Sequence, residues 1–312
     1  MIGHIGCGYW GKNIVNTLHE NSLLSGIYDF DPITQKKFCK KYRLPNFKLD
    51  ELLSNKNILG CTVATPASTH FEVSKKVLLA NKHLFVEKPI CLKLEHAEEL
   101  KNIARQKKLR IMVGHLLHFH DGFIEMKKLI KSKDFGSVRK INSYRKSYGI
   151  LREDEDVIWS FSPHDISMAL SVCESSHISN LSLLRKSYFK NNTDAASFQF
   201  LCNEVEVAIH VDWTSAKKEQ RFEVYCDHGV IIFDDALKDN KLQLFKSDFN
   251  SLALKQKNTN DFQVIDFPKF MLPLEREMIT FKEAMINDQF QFYNNVDEAI
   301  SVLRILKELD KL

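Results

Sequence analysis

Three short stretches hold residues whose types and spacing could do chemistry. In "HIGCGYWGKN", Gly6, Gly8 and Gly11 stand in Gly-x-Gly-x-x-Gly spacing. They directly follow an apolar run, Ile2–Ile5, and open a segment with Ile14, Val15 and Leu18 on one helical face. Glycines so placed allow a tight turn, let a pyrophosphate touch backbone, and let the helix pack close to the strand. The N-terminus of that helix offers unpaired N–H groups and a positive dipole end to phosphates. The next apolar run ends in Asp29, about 20 residues on, where a dinucleotide fold places the acid that binds a ribose. Asp31 competes for that role, but before Pro32 it reads as a helix N-cap with proline at the first helical position. Asp29 is therefore the expected ribose ligand. Phe30 follows it, with no arginine to meet a 2′-phosphate, which favours NAD over NADP. Thr65 and Pro66 close a further strand on the same edge, as cofactor contacts or as a simple turn.

The second stretch is "HLFVEKPI". Leu84, Phe85 and Val86 run like a buried strand and stop at Glu87, Lys88 and Pro89. A lysine there is either a surface charge paired with Glu87 or a group that exchanges a proton at the edge of the sheet. The third is "WSFSPHDIS", where Ser162, Pro163 and Asp165 fit N-cap, N1 and N3 of a new helix. Asp165 then has a structural reading as the reciprocal member of a capping box. His164 falls in the first turn, where the positive helix end keeps an imidazole neutral and able to accept a proton. "GHLLHFH" supplies His115, His118 and His120. As a strand it would put His118 and His120 on one face, yet no cysteine or acid completes a ligand spacing, and no metal is expected.

The elements that must position these residues can be read from periodicity. Over residues 1–118 short apolar runs alternate with helix-period segments, the pattern of βαβ units and a parallel sheet. The spacing predicts helices at Trp10–Glu20 and Leu94–Lys107, and one begun by a Thr69/Glu72 capping box and ended by a left-handed Asn81. From 119 to 312, alternating segments such as "AASFQFLCNEVEVAIHVDW" and "RFEVYCDHGVIIFDD" predict a largely antiparallel sheet. Helices interrupt it at Phe123–Ser132, Pro163–Val172, Leu274–Met285 and Val296–Leu309, and the polar piece from Asp248 to Asp261 reads as a long hairpin or loop. The expected fold class is α/β: a doubly wound parallel sheet, then an α+β domain with a large open sheet.

Composition narrows the partners. The net charge of +4 is spread among interspersed acids and bases, so nucleic acid is not expected. No apolar run approaches the roughly 18 residues of a membrane span. Seven cysteines without a Cys-x-x-Cys pair suit free thiols, and a reducing cytoplasm is the expected compartment.

A strand ending in Glu-Lys-Pro downstream of a Gly-x-Gly-x-x-Gly turn resembles the glucose-fructose oxidoreductase / inositol dehydrogenase / rhizopine catabolism (Gfo/Idh/MocA) family. "GHLLHFHDGFIEMKKLI", "GILREDEDVIWSFSPHDIS", "QRFEVYCDHGVIIFDD" and "DEAISVLRILKEL" are similar, in that order, to later segments of the family. The resemblance implies a Rossmann domain followed by an open-sheet domain, with nicotinamide in the cleft between them. It implies that Lys88 reaches the reacting hydroxyl or carbonyl, that the Lys88–Pro89 bond is cis, and that His164 is the second catalytic group. It implies cofactor contacts at Tyr9, Trp10, His70 and Glu87 beside the glycines, Asp29, Thr65 and Pro66. Substrate contacts are implied at His120, Arg152 and Ser160. Arg152 could clamp a carboxylate or phosphate. Ser160 is a departure, because many dehydrogenases of the family carry an aspartate there, and a serine supplies no charge to strengthen a base.

The implied function is an NAD-dependent oxidoreductase acting on a secondary alcohol or ketone of a sugar or sugar nucleotide, assembled as a homodimer or tetramer. The alternatives are a non-catalytic dinucleotide-binding regulatory protein of the same fold, favoured by Ser160, and a glycosidase that uses NAD transiently.

Overall fold

The computed structural model describes residues 1–148, 155–188, 192–247 and 262–312 of the chain. Arg152, and the whole of the polar piece at 248–261, lie outside the described residues. Contacts divide the chain into two compact units, Met1–Leu116 with Met271–Arg304, and Leu117–Phe270 with Ile305–Leu312. The sequence analysis placed one boundary at 118. The structure groups a later piece, Met271–Arg304, with the first unit, because its apolar face packs there rather than on the second sheet.

The first unit is built on a parallel five-stranded sheet. Its strands are β1 (Ile2–Ile5), β2 (Leu24–Tyr28), β3 (Gly60–Val63), β4 (His83–Glu87) and β5 (Ile111–Gly114), in the order β2-β1-β3-β4-β5. Every residue of β1, β3 and β5 is buried, as strands covered on both faces require. The helices are α1 (Gly11–Glu20), α2 (Pro32–Tyr42), α3 (Leu49–Ser54), α4 (His70–Leu79) and α5 (Leu94–Lys107). Asp31 caps α2 by accepting from the N–H groups of Ile33 and Thr34, as its position before Pro32 predicts. Asn81 takes the left-handed conformation at φ 57°. The Thr69 capping box does not form: Thr69 is already helical, and its hydroxyl turns back to Thr65 Oγ1 and Pro66 O at 2.7 and 2.8 Å.

After the second unit the chain returns as α8 (Pro273–Ile286) and α9 (Val296–Leu309). Phe281 of α8 sets its ring 5.9 Å from that of Phe85 in β4. Gly60 makes room for this helix, since a Cβ there would press on the Met285 sulfur and the Phe281 ring.

The second unit holds an eight-stranded sheet in the order β13-β12-β11-β10-β6-β9-β8-β7. The strands are β6 (Val138–Tyr148), β7 (Ile178–Ser187), β8 (Ala195–Cys202), β9 (Val205–Asp212), β10 (Thr214–Cys226), β11 (Gly229–Asp234), β12 (Leu242–Lys246) and β13 (Phe262–Val264). All neighbours are antiparallel except β6 and β9. The fold is the expected two-sheet α/β arrangement. One face is covered by α6 (Asp121–Lys131) and α7 (Val157–Cys173), over a core that includes Phe123, Phe198, Phe222 and Phe233.

Helix α7 corrects the reading of "WSFSPHDIS". It starts at Val157, with Asp156 as N-cap accepting from Trp159 N at 3.0 Å, so Pro163 is internal. Ser162, Pro163 and Asp165 are not a helix start. Burial of Val157 and Ile158, at 0% and 3% exposure, extends the helix backwards over the residues that locally resemble a cap. Asp165 instead accepts from Arg145 Nε at 2.7 Å and Nη2 at 3.0 Å, and from Ser143 Oγ at 2.6 Å. This bidentate ion pair fastens α7 to β6 in a nearly water-free layer, with side-chain exposures of 11% and 2%. Asp165→Ala should lower the free energy of unfolding by about 3–5 kcal/mol, because it strands a buried guanidinium. Replacing both partners with apolar residues should recover most of the loss, read from urea midpoints at constant slope.

Candidate active site

The glycine turn follows from backbone geometry. Gly6 leaves β1 at φ 97°, and a Cβ on it would come within 2.8 Å of the Ala64 carbonyl group. A Cβ on Gly11 would lie 1.8 Å from Gly6 O, so α1 starts against the strand exit itself. Over Gly8 a Cβ would meet nothing within 4 Å. That open approach to backbone ahead of a helix N-terminus is what a pyrophosphate requires, and these residues fit a dinucleotide. Asp29 joins the turn to the second strand: its Oδ2 accepts from Cys7 N at 2.5 Å and its Oδ1 from Asp31 N at 2.8 Å. The carboxylate remains half-exposed, with lone pairs left for ribose hydroxyls.

His4 escaped the sequence analysis. It is wholly buried in β1, and burial pushes its pKa down to about 4. Its Nε2 lies 2.7 Å from Gly6 O and its Nδ1 2.7 Å from Thr62 Oγ1. A carbonyl can only accept, so Nε2–H donates to Gly6 and Nδ1 accepts from the Thr62 hydroxyl. A polar residue in the middle of "IGHI" is the signal that could have found it.

Tyr9 and Trp10 diverge. Tyr9 is 82% exposed, with the Lys12 ammonium 4.8 Å from its ring centre, whereas Trp10 Nε1 donates to Glu87 Oε1 at 2.6 Å. The bond spans the end of β3 and joins the glycine turn to the strand end that carries Lys88. Gly114 on β5 lies against the same carboxylate, since a Cβ there would sit 2.9 Å from both Glu87 oxygens. Desolvation pushes Glu87 up to about 7, against the stabilising effects of the Trp10 N–H and the Lys88 charge.

Lys88 is half-buried and the Lys88–Pro89 peptide is cis. His70 is buried behind it, with Nδ1 2.7 Å from Pro89 O and Nε2 2.8 Å from Thr65 O. It sits between the exits of β3 and β4, and since a neutral ring carries one N–H and both carbonyls only accept, it donates to one of them while its other nitrogen lies against the second. Burial first, and the Lys88 charge in addition, lower the pKa of His70 and bring that of His115 to about 3. The imidazoles beside the lysine are therefore uncharged at neutral pH.

In the second unit Ser160 and His164 lie one helical turn apart on the same face of α7, Ser160 buried and His164 half-exposed. His164 is not in the first turn, so the helix end does not account for its charge state. His118 Nε2 is 2.6 Å from Ser167 Oγ. His120 is the N-cap of α6, accepting from Gly122 N at 3.0 Å, with Nε2 3.3 Å from Asp235. Burial opposes ionisation of Asp235, but hydrogen bonds from His120 and Lys241 hold it at about 2. His118 and His120 thus do not share a strand face; Leu116–Phe119 is a 3₁₀ turn. Among the described residues no three His, Cys, Asp or Glu side chains converge as metal ligands.

A parallel dinucleotide-fold sheet followed in the chain by a large, mostly antiparallel open sheet is the two-domain fold expected from the sequence. Residues 1–115 match the Gfo/Idh/MocA model described as "Oxidoreductase family, NAD-binding Rossmann fold". The chain is 29% identical over 160 residues to 2,7-anhydro-N-acetylneuraminate hydratase of Escherichia coli, covering 50% of this chain and 42% of that protein. It is 28% identical over 170 residues to UDP-N-acetylglucosamine 3-dehydrogenase of Acidithiobacillus ferrooxidans, covering 54% and 52%. The matched region thus spans about half the length of these curated relatives. In fold, the solved structure of that A. ferrooxidans enzyme, GnnA, superposes with a TM-score of 0.86 at 20% identity, over 99% of this chain and 95% of that one. No helix among the described residues is long and apolar enough to cross a membrane.

Two glycines should behave oppositely when given a methyl group. Gly11→Ala should destabilise the fold by about 2 kcal/mol or more, through its clash with Gly6 O. Gly8→Ala should leave the melting temperature unchanged and weaken dinucleotide binding about tenfold or more by calorimetry, since it fills only the space a phosphate needs.

Proposed function

We propose that this protein transfers hydride between a nicotinamide dinucleotide and a secondary alcohol or ketone of a sugar or sugar nucleotide, with NAD preferred over NADP. The observation that carries the reading is the Trp10–Glu87 hydrogen bond at 2.6 Å, which holds Lys88 on the same sheet edge as the phosphate-binding turn. The cofactor preference rests on Asp29 at the end of β2, followed by Phe30 rather than a cation. The substrate class rests on the similarity to UDP-N-acetylglucosamine 3-dehydrogenase.

When bound, the dinucleotide supplies or accepts the hydride. The work of the chain is to bind, orient and move a proton. Lys88 gives a proton to the substrate oxygen in reduction and takes it in oxidation, a transfer that contributes typically 10²–10⁴-fold. Neutral His70 and His115 leave Lys88 as the cationic partner for a developing alkoxide. His164 is assigned as the second proton-handling group, with Ser160 one turn away as a hydrogen-bonding neighbour that brings no charge. Tyr9, Thr65 and Pro66 are assigned to the cofactor, His120 and Arg152 to the substrate.

A second reading is favoured by one comparison, the similarity to a hydratase: substrate conversion with transient oxidation and no net change in the dinucleotide. Absorbance of reduced nicotinamide over a panel of sugar nucleotides and anhydro sugars separates the two, since only the dehydrogenase accumulates it.

Lys88→Met should lower kcat by about 100-fold or more while dinucleotide affinity stays within about threefold. Persistence of turnover would remove the proton role from Lys88. Ser160→Asp should raise kcat if the position serves the base, and an unchanged rate would show that the serine belongs to a rebuilt site.

A further inference from the structure

Behind Lys88, within the first unit, lies a buried acid that the proposed reaction does not use. Glu277 of α8 is 1% exposed, and its Oε1 has no hydrogen-bond partner among the described residues. Its place follows from the packing of α8. Phe281 meets Phe85 with ring centres 5.9 Å apart. One helical turn before Phe281 on the same face is Glu277, and two residues after Phe85 on the same strand face is Glu87. The two steps, about 6 Å along the helix and about 6.6 Å along the strand, are nearly equal. The layer next to the two phenylalanines is therefore a pair of glutamates, closed on its other side by Trp10, whose helix α1 packs on α8.

Two carboxylates and one lysine in such a layer would leave an uncompensated buried negative charge, which costs several kcal/mol and is relieved by keeping one proton. Glu87 already has the Trp10 N–H and Lys88 to favour its charged form, and Glu277 has neither. Desolvation and the Glu87 charge both raise the pKa of Glu277 well above the usual carboxylate range.

We propose that Glu277 is a positioning residue for Lys88: it stays a neutral carboxylic acid and, facing Glu87 from α8, is the polar neighbour that lets Glu87 carry its negative charge beside the lysine. The inference rests on the proposed role of Lys88 and adds a residue far away in sequence to its support. A neutral carboxyl still has an O–H to direct at Glu87, which an apolar side chain would not. The other titratable groups around the pair are His70 on α4, His115 after β5, whose Nε2 is 3.6 Å from Glu298 Oε2, and Glu298 on α9. Both histidines are held neutral by burial, so the acids Glu87, Glu277 and Glu298 and the Lys88 ammonium set the charge here.

Infrared spectroscopy of the full chain at neutral pH should show the C=O stretch of a protonated carboxylic acid that disappears in Glu277→Gln. In kcat–pH profiles, Glu277→Leu should move the acid limb upward by about one unit, since Glu87 then protonates more readily, with the KM for dinucleotide unchanged. Glu277→Gln, which keeps an N–H donor, should return the limb to the wild-type position. A purely structural Glu277 would change the melting temperature without moving the limb. The same infrared spectrum in Glu277→Gln and wild type, or superimposable limbs for Glu277→Leu and wild type, would overturn the proposal. If the wild type turns over no substrate, the oxidoreductase reading fails by itself, and the infrared comparison still decides the protonation state of Glu277.

Discussion

The first unit turns on how the exits of three strands are held at one edge of a parallel sheet. Trp10 Nε1 reaches across the end of β3 to Glu87 at the end of β4. Gly6 at the end of β1 lies against Ala64, and His70 clamps Thr65 to Pro89. The Trp10–Glu87 and Gly6–Ala64 contacts join different βαβ units, whereas the His70 contacts close the β3-α4-β4 unit. The N–H···carboxylate bond at 2.6 Å has the length of a charge-assisted bond, the stronger kind in a poorly solvated place. Lys88 is held in place by this stitching, because its neighbours on both sides, Glu87 and Pro89, are fixed by partners from other loops.

The same desolvation that strengthens these bonds decides which groups are charged. His4 at about 4, His115 at about 3 and the lowered His70 are all neutral near pH 7. The Cys7 thiol, pushed up to about 12 by burial, is neutral as well. Glu87, near 7, sits at the balance between burial and its two partners. A sheet edge whose histidines and thiol are uncharged leaves the Lys88 ammonium as a cation with chemical leverage, a useful condition for a group meant to exchange a proton with a substrate oxygen.

The second unit uses a buried charge differently. Arg145 and Asp165 satisfy one another in a bidentate pair with Ser143 as a third partner, and so set the rotation of α7 on the sheet. That rotation decides which face of α7 presents Ser160 and His164 together. An aspartate one residue from a candidate base thus serves the helix, not the base.

Local pattern alone determined much of this protein. The glycine turn, the Asp31 cap, the buried run of β4 ending at Glu-Lys-Pro, and the change from βαβ units to an antiparallel sheet all depend on residues within a few positions of one another. Backbone geometry and periodicity express themselves at that range. Other features were closed to such reading. The start of α7 was misplaced because Ser-Pro-His-Asp satisfies the local rules of a cap, while burial of Val157 and Ile158 overrides them. The roles of Asp165, His70, His4 and Glu277 depend on partners brought close by folding, and the return of α8 to the first sheet depends on which apolar face fits beside Phe85. Side-chain type and spacing marked where chemistry could occur; which acids pair, which stay protonated and which histidines are spent on backbone was decided by long-range packing, since charge states are set by dielectric surroundings that exist only in the folded chain.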